Sequence, residues 1–304
     1  VWVDRDGNRE AADVPPANQL DMPRVSPDGE RILYTALSAT TDIWVHERSR
    51  PGSRIRLTYE EADDLFPVWF PDSLHFLYAH RVEDDTFSTR HVFTTRRHRA
   101  DGAGRPTLWP RGHAGVSPLT IPMVVLPGDR VLYQEAESPE TLWDIVDSSR
   151  PVAERFIVQS RAPEQDPVVS HDGKWLAYSA LESGVRQIYV RPFPDTHSGR
   201  WQLTTEGGNQ PLWAPDGSEL YYRSGASMMA VPIQTEPVFR AGTPVQLFEG
   251  DYVNQDDAER SYDLEYPEGR RFLMVEDYEP EAESTRLIYV ENWVAELNSL
   301  VPVD

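Results

Sequence analysis

Pro23-Arg24-Val25-Ser26-Pro27-Asp28-Gly29-Glu30-Arg31-Ile32-Leu33-Tyr34-Thr35 reads as strand, tight turn, strand. Pro27 presets the first turn position, Asp28 tolerates the next, and Gly29 supplies the positive φ with which the chain re-enters the ladder. Arg31 to Thr35 is rich in residues that fit a pleated surface. The unit then repeats. Pro71-Asp72-Ser73 precedes His75-Phe76-Leu77-Tyr78, and Pro127-Gly128-Asp129 precedes Arg130-Val131-Leu132-Tyr133. His171-Asp172-Gly173 precedes Lys174-Trp175-Leu176-Ala177-Tyr178, Pro215-Asp216-Gly217 precedes Glu219-Leu220-Tyr221-Tyr222, and Pro267-Glu268-Gly269 precedes Arg271-Phe272-Leu273-Met274. The six turns are spaced by 44, 56, 44, 44 and 52 residues.

A period of roughly 40–50 residues is that of a four-stranded propeller blade. The flanking segments complete such blades. Short apolar runs lie upstream of the turn, as in Pro67-Val68-Trp69-Phe70, Pro167-Val168-Val169-Ser170 and Pro211-Leu212-Trp213-Ala214. Third strands are predicted at 42–45, 91–94, 142–146, 187–190, 228–231 and 286–290, and fourth strands at 54–58, 155–158, 200–204 and 245–248. The predicted fold class is all-β, a six-bladed β-propeller with four-stranded blades. Its blades span about 21–59, 63–110, 113–159, 164–205, 209–250 and 262–293. Val1-Trp2-Val3, running into the Asp6-Gly7 turn, has no blade of its own. It is expected to close the ring as the outer strand of the last blade, which leaves only short, protected edges. Asn292 to Leu297 reads as a short helix with Asn292 as its cap.

A repeat array of this kind favours one unit over residues 1–304, because each blade buries its faces only against its neighbours. A hydrophobic content of 39% and an aromatic content of 11% suit a β-rich fold. The net charge of -21 argues against a nucleic-acid partner, which calls for a basic face. With no cysteine there is no disulfide framework and no thiolate metal site. No apolar run is long enough to span a bilayer, so no direct membrane insertion is expected of this segment. The abrupt start inside a strand is expected of a domain taken from a longer protein, with any membrane anchor elsewhere.

The Pro-x-Trp-x-Pro-Asp pattern of Pro67-Val68-Trp69-Phe70-Pro71-Asp72 and Pro211-Leu212-Trp213-Ala214-Pro215-Asp216 resembles the TolB-like β-propeller repeat. Val1-Trp2-Val3-Asp4-Arg5-Asp6-Gly7, Val190-Arg191-Pro192-Phe193-Pro194, Tyr222-Arg223-Ser224-Gly225 and Met228-Met229-Ala230-Val231-Pro232 resemble the C-terminal sensor propeller of bacterial serine/threonine kinase-type membrane regulatory proteins. The resemblance implies a non-catalytic sensor or interaction domain that binds a protein or small ligand, is tethered to a kinase or other output domain, and lies outside the cytoplasm. Ser73 in place of the turn glycine, and a third blade without the tryptophan, depart from the pattern.

No catalytic signature is present: neither His-Glu-x-x-His, nor Gly-x-Ser-x-Gly, nor a phosphate loop occurs. Asp4 to Glu10 is too short for a calcium loop and reads as an Asp-Gly hairpin. Candidate ligand contacts are the residues that lead into each inner strand, at one mouth of the channel. They are Asp21, Asp64, Gln165, Asp166, Asn209 and Gln210, with Asp63, Val116, Ser117 and Ser261 beside them. Such a ring holds either water, a hydrogen-bonded ligand or a divalent cation such as calcium, and close acids there would have at least one raised pKa unless a cation compensates. No other cofactor is expected. A metal-dependent lyase-like enzyme is the alternative, and a structural scaffold is a third. The scattered histidines lack zinc spacing. Arg96-Arg97-His98-Arg99 reads as a solvated strand end, and Trp44, Trp69, Trp175, Trp201 and Trp213 as equivalent inter-blade core positions.

Overall fold

Short, β-branched and aromatic segments between Pro-Asp-Gly turns form antiparallel hairpins, and the hairpins stack into blades. The computed structural model describes residues 1–17, 19–82, 92–109, 119–136, 144–150, 154, 156–158, 162–182, 184–254 and 260–276. Among them the strands form six sheets of four or five antiparallel strands. Blade one shows the pattern: inner strand Asp21–Val25, then Arg31–Leu37, Thr41–Glu47 and outermost Ile55–Arg56. The other inner strands are Asp64–Trp69, Leu119–Leu126, Glu164–Val169, Asn209–Trp213 and Tyr262–Leu264. This is the six-bladed β-propeller expected from the repeats.

The chain's first strand, Trp2–Asp4, lies in the last sheet, as expected, but not at its edge. It pairs directly with Arg271–Met274, and Arg9–Glu10 forms the outermost strand. A hairpin therefore closes the ring, and its apolar Trp2 and Val3 are buried in the third position. The strand expected at 286–290 and the helix at 292–297 lie outside the described residues. Blade five also differs from expectation. Its fourth position is shared by Arg240–Ala241 and Val245–Glu249, which pair with opposite ends of Ser227–Gln234.

Each blade-to-blade junction carries its own apolar cluster, which is how a ring of small sheets acquires a core. Leu33, Val45 and Leu57 of blade one pack on Trp69 and Phe76 of blade two. Phe70 and Leu77 meet Val131 and Tyr133 of blade three. Leu132 and Ile145 meet Leu176 and Tyr178 of blade four, and Ile188 and Val190 meet Trp213 and Leu220 of blade five. Tyr221 and Phe248 meet Phe272 of blade six, and Trp2 and Leu273 return to Ile32 and Tyr34 of blade one.

The first hairpin turns add a second kind of contact at one end of the channel. Gly29 has φ +77°, and a Cβ there would lie 2.1 Å from the Tyr266 carbonyl oxygen of blade six. Gly269 has φ +64°, and its Cβ would lie 2.5 Å from Pro215 Cδ of blade five. Only glycine fits both the backbone conformation and the contact. Ser73, where the repeat has glycine, adopts φ 55° and has a reason to be there: its hydroxyl accepts the Asp28 N–H of blade one at 3.0 Å.

Two side-chain readings are corrected. Arg96 to Arg99 lie within the strand Val92–Arg99 and are buried or half-buried. Arg96 pairs with Glu60, Arg97 lies over the Phe70 and Trp109 rings, and Arg99 pairs with Asp101. The tryptophans are not all equivalent. Trp69 and Trp213 end inner strands, whereas Trp44, Trp175 and Trp201 sit in third, second and fourth strands.

Candidate functional site

The channel has two mouths. The inner strands begin at the upper one, and the Pro-Asp-Gly turns close the lower one. At the upper mouth four inner strands share one irregularity. Met22, Phe66, Asp166 and Gln210 have φ between 51° and 58°. Each precedes a proline, and the ladder register shifts at the same place. Such a bulge turns one residue out of the ladder. In two blades the freed N–H reaches the neighbouring blade. Asp166 N–H donates to Gln134 Oε1 at 3.3 Å, and Gln210 N–H donates to Asp166 Oδ2 at 3.2 Å.

The bonds continue around the ring. Gln210 Oε1 accepts from Ser261 N–H and Oγ–H at 3.1 and 3.2 Å, and Tyr262 O–H donates to the Gln210 carbonyl at 2.7 Å. Asp263 Oδ2 accepts from Val25 N–H at 2.8 Å, which joins blade six to blade one. Trp69 Nε1–H then donates to the Arg24 carbonyl at 2.8 Å, and Trp213 Nε1–H makes the equivalent bond to the Val168 carbonyl at 3.3 Å. Two of the polar side chains expected to face a ligand, Asp166 and Gln210, are thus also staples between blades, whereas Asp64 bonds His80 of its own blade and Asp21 the adjacent Met22 N–H. Asp166, Asn209, Gln210 and Asp64 are buried, while Asp21 and Gln165 are half-buried. Val116 and Ser117 lie outside the described residues.

The three candidate acids all have raised pKa values, and burial is the first cause for each. Burial raises Asp166 against the opposing pull of Ser179, the Gln210 N–H, Arg186 and Arg260. Asp64 is raised by burial although His80 Nδ1 lies 2.7 Å from its Oδ1. Glu60 Oε2 stands 3.3 Å from the other ring nitrogen of His80. Asp21 is raised by burial against the Met22 N–H and Arg24. The expectation that neighbouring acids would drive these shifts is replaced by desolvation. Among the described residues no group of three or more His, Asp or Glu side chains is placed to hold a metal ion.

The lower part of the channel holds a cavity of about 520 Å³ to which all six blades contribute. Its rim is made by the turns: Pro27, Pro215 and Pro267, with His171 where the fourth blade departs from proline. Val25, Val68, Trp69 and Met123 form apolar walls, and Tyr266 packs its ring 6.0 Å from that of His171. Burial holds His171 below the usual histidine pKa, against the nearby Asp172 carboxylate. Deeper in the channel are two guanidiniums, Arg24 and Arg260, and the carboxylate of Asp263. Arg24 donates to the Pro23 and Arg260 carbonyls at 2.9 and 2.7 Å. Arg260 donates to the Tyr262 carbonyl at 2.9 Å and to Asp263 Oδ1 at 3.2 Å. A concave, mostly apolar site with a few converging polar groups is the usual form of a ligand pocket. Sequence reasoning placed ligand contacts at the other mouth, because it treated the turn prolines as punctuation. The available signal was His171, the one turn position where a non-proline residue breaks the repeat.

With six blades and the closing hairpin in place, solved structures give a direct comparison. A protein assigned as TolB from Agrobacterium tumefaciens superposes with a TM-score of 0.59 at 15% identity, covering 84% of this chain and 89% of that one. The fold is that of a TolB-like six-bladed β-propeller. TolB from Acinetobacter baumannii gives a TM-score of 0.56 at 16% identity over 81% of this chain, which spans 59% of that longer protein. A chain of a nidogen–laminin complex gives 0.53 at 9% identity, covering 77% of this chain and 86% of that one. At the level of sequence, no family model and no curated protein matches. The TolB-like likeness is one of fold, and function is argued from the site.

Proposed function

We propose that this TolB-like propeller is a non-catalytic binding module that takes a protein or small ligand along its channel axis. The observation that carries the reading is the 520 Å³ lower cavity, built by six blades and lined by apolar walls around two guanidiniums. Its chemistry is that of recognition: aromatic and proline surfaces for contact, charged donors for orientation. The upper mouth belongs to the same reading. Asp21 and Gln165, the half-buried members of the candidate set, offer polar contacts there, while Asp64, Asp166, Asn209 and Gln210 shape the wall. We further propose that residues 1–304 act as one unit in a larger, extracytoplasmic bacterial signalling or regulatory protein, where occupancy of the channel is passed to an output domain. The resemblance of segments 1–7, 190–194, 222–225 and 228–232 to kinase-associated sensor propellers supports this, and the nidogen–laminin likeness supports protein binding by such a ring.

Site-specific photo-crosslinking tests the proposal. A benzophenone amino acid at Met123, in the cavity wall, should capture the ligand or partner in the source cell, and the same group at exposed Leu108, on an outermost strand, should not. Equal capture from both positions, or capture only from Leu108, would remove the channel from the account. A melt after EDTA treatment with calcium, magnesium, manganese and zinc restored singly addresses the lyase-like alternative. A native-state metal at about a hundred times its Kd adds about 2.7 kcal/mol, and the module reading expects no shift.

A further inference from the structure

At the upper mouth His80 stands between two carboxylates. Its Nδ1 lies 2.7 Å from Asp64 Oδ1, and its Nε2 lies 3.3 Å from Glu60 Oε2. His80 and Asp64 are buried, at paired positions of the second and inner strands of blade two. Glu60 comes from the linker 57–63, which joins the last strand of blade one to the inner strand of blade two, and its side chain is half exposed. A neutral imidazole carries one N–H, so it donates to one carboxylate and turns a lone pair towards the other, whereas an imidazolium donates to both. The two contacts are therefore satisfied together only when the ring holds its second proton. The surrounding charges agree. Arg96, on the third strand, pairs with Glu60, and uncharged Thr94 lies opposite His80 in the ladder. Tyr78, on the same strand as His80, is held neutral by burial and by the Asp64 carboxylate. The Thr58 hydroxyl and Arg96 ease the burial of Asp64. Asp63 pairs with Arg81, and Asp42 of blade one pairs with Arg56, so those charges are matched. Asp64 and Glu60 thus set two carboxylates against one guanidinium, and the ring proton supplies the second positive charge. Histidine is the side chain that ordinarily changes charge between about pH 5 and 8.

We propose that His80 is a proton-operated clasp at the upper mouth. Protonated, it ties the 57–63 linker, through Glu60, to Asp64 at the start of the inner strand. Neutral, it keeps Asp64 and leaves Glu60 to Arg96 alone. The end of the linker stays fixed in both states, because Asp63 accepts Thr41 N–H of blade one at 2.9 Å. The junction of blades one and two is then held more tightly in mildly acidic than in mildly basic surroundings. The inference is independent of the binding-module reading.

The test uses the whole chain at about pH 5.5 and pH 8, on either side of the ordinary histidine range. Side-chain 15N–1H spectra, with His80 assigned by its loss in His80→Asn, read the ring directly. The expected result is an N–H on both ring nitrogens at the lower pH and on Nδ1 alone at the higher. A ring in the same state at both, or one whose single proton sits on Nε2, would overturn the clasp. A double-mutant cycle of Glu60→Gln with His80→Asn, measured by urea unfolding, reads the tie itself. The asparagine amide stands near the place of Nδ1 and can still donate to Asp64. The coupling should be about twofold to fivefold in the unfolding constant at the lower pH, the scale of a partly exposed ion pair, and absent at the higher. The Arg96–Glu60 pair is made at both and cancels in the cycle. Equal coupling at the two pH values, or none at the lower, would overturn the assignment. Because a change at buried His80 can impair folding, amide exchange on native protein and Glu60→Gln gives a further reading. Corrected for intrinsic rates, the amides of 59–62 should exchange about twofold to fivefold faster at the higher pH in the native protein and equally at both in Glu60→Gln. Native linker amides that exchange alike at both would show that no clasp operates.

Discussion

The two mouths of the channel are built from the same six repeats by different means. At the upper mouth the blades are joined through side chains: Gln134, Asp166, Gln210 and Ser261 each bond across a junction, and one such staple, Asp263 on Val25 N–H, sits in the wall of the lower chamber. At the lower mouth backbone packing does much of the joining, with Gly29 under the Tyr266 carbonyl and Gly269 against Pro215. Where backbone holds the ring, side chains are left to shape a chamber. Where side chains hold the ring, their polarity is largely engaged within the protein. A polar residue at a channel mouth is therefore a weaker sign of ligand contact than an apolar turn residue that breaks its repeat.

The sharpest way to break this comparison is at the glycines. Gly29→Ala forces a Cβ onto the Tyr266 oxygen and a positive φ onto alanine, and should cost about 3–4 kcal/mol in urea unfolding. Gly173→Ala has φ +70° but no heavy atom within 4 Å of the added Cβ, and should cost only about 1–2 kcal/mol, the strain of the left-handed conformation. Equal losses for the two would mean that turn nesting does not hold the lower mouth.

Next in size is Gln210→Leu. It removes the acceptor for Ser261 N–H and Oγ–H at a fully buried junction, with an expected loss of about 1–3 kcal/mol. A melt unchanged from the native protein would show that the upper staples are dispensable and return those side chains to ligand duty.

Asp166→Asn sharpens the same point through pH. Burial raises the folded pKa of Asp166 above its ordinary 3.8. A raised acid stabilises the fold below the unfolded pKa, and that contribution is lost as pH rises through the folded value. The asparagine oxygen keeps an acceptor for Ser179 and Gln210 without a charge to desolvate. The variant should therefore match the native protein near pH 4 and equal or exceed its stability at pH 7, as measured by urea unfolding across that range. A variant less stable at pH 7 by the same margin as at pH 4 would mean the ionised form is the one the ring requires. The smallest effect is that of His171→Pro on stability, within about 0.5 kcal/mol, because no main-chain bond uses its N–H among those observed at the turn.

The architecture was open to reading because the turns carry their own chemistry. Pro-Asp-Gly before an apolar run can only close a hairpin tightly, and six copies at blade spacing determine the ring. The closing strand was placed in the correct sheet and one position too far out, since only pairing shows that Arg9–Glu10 continues the sheet beyond Trp2–Asp4. The site was harder. Asp64, Asp166 and Gln210 were identified as residues near the channel, but composition does not show whether a side chain meets solvent or a neighbouring blade. Bulges before Pro23, Pro67, Pro167 and Pro211 decide that, and they depend on ladder register. The arginines at 96 and 97 read as solvated because their partners Glu60, Phe70 and Trp109 lie elsewhere along the chain. Met123 and Arg260 carried no motif at all, and only ring closure brings them into one chamber.

The most direct test of the two-mouth account measures melting and photo-crosslinking yield from Met123 on the same pair of variants, Gln210→Leu and His171→Pro. The account predicts opposite outcomes. Gln210→Leu should melt earlier yet crosslink, per folded molecule, as the native protein does, whereas His171→Pro should melt as the native protein does and crosslink several-fold less. A His171→Pro variant that crosslinks normally, together with a Gln210→Leu variant that melts normally and loses crosslinking, would place recognition at the upper mouth and contradict the account.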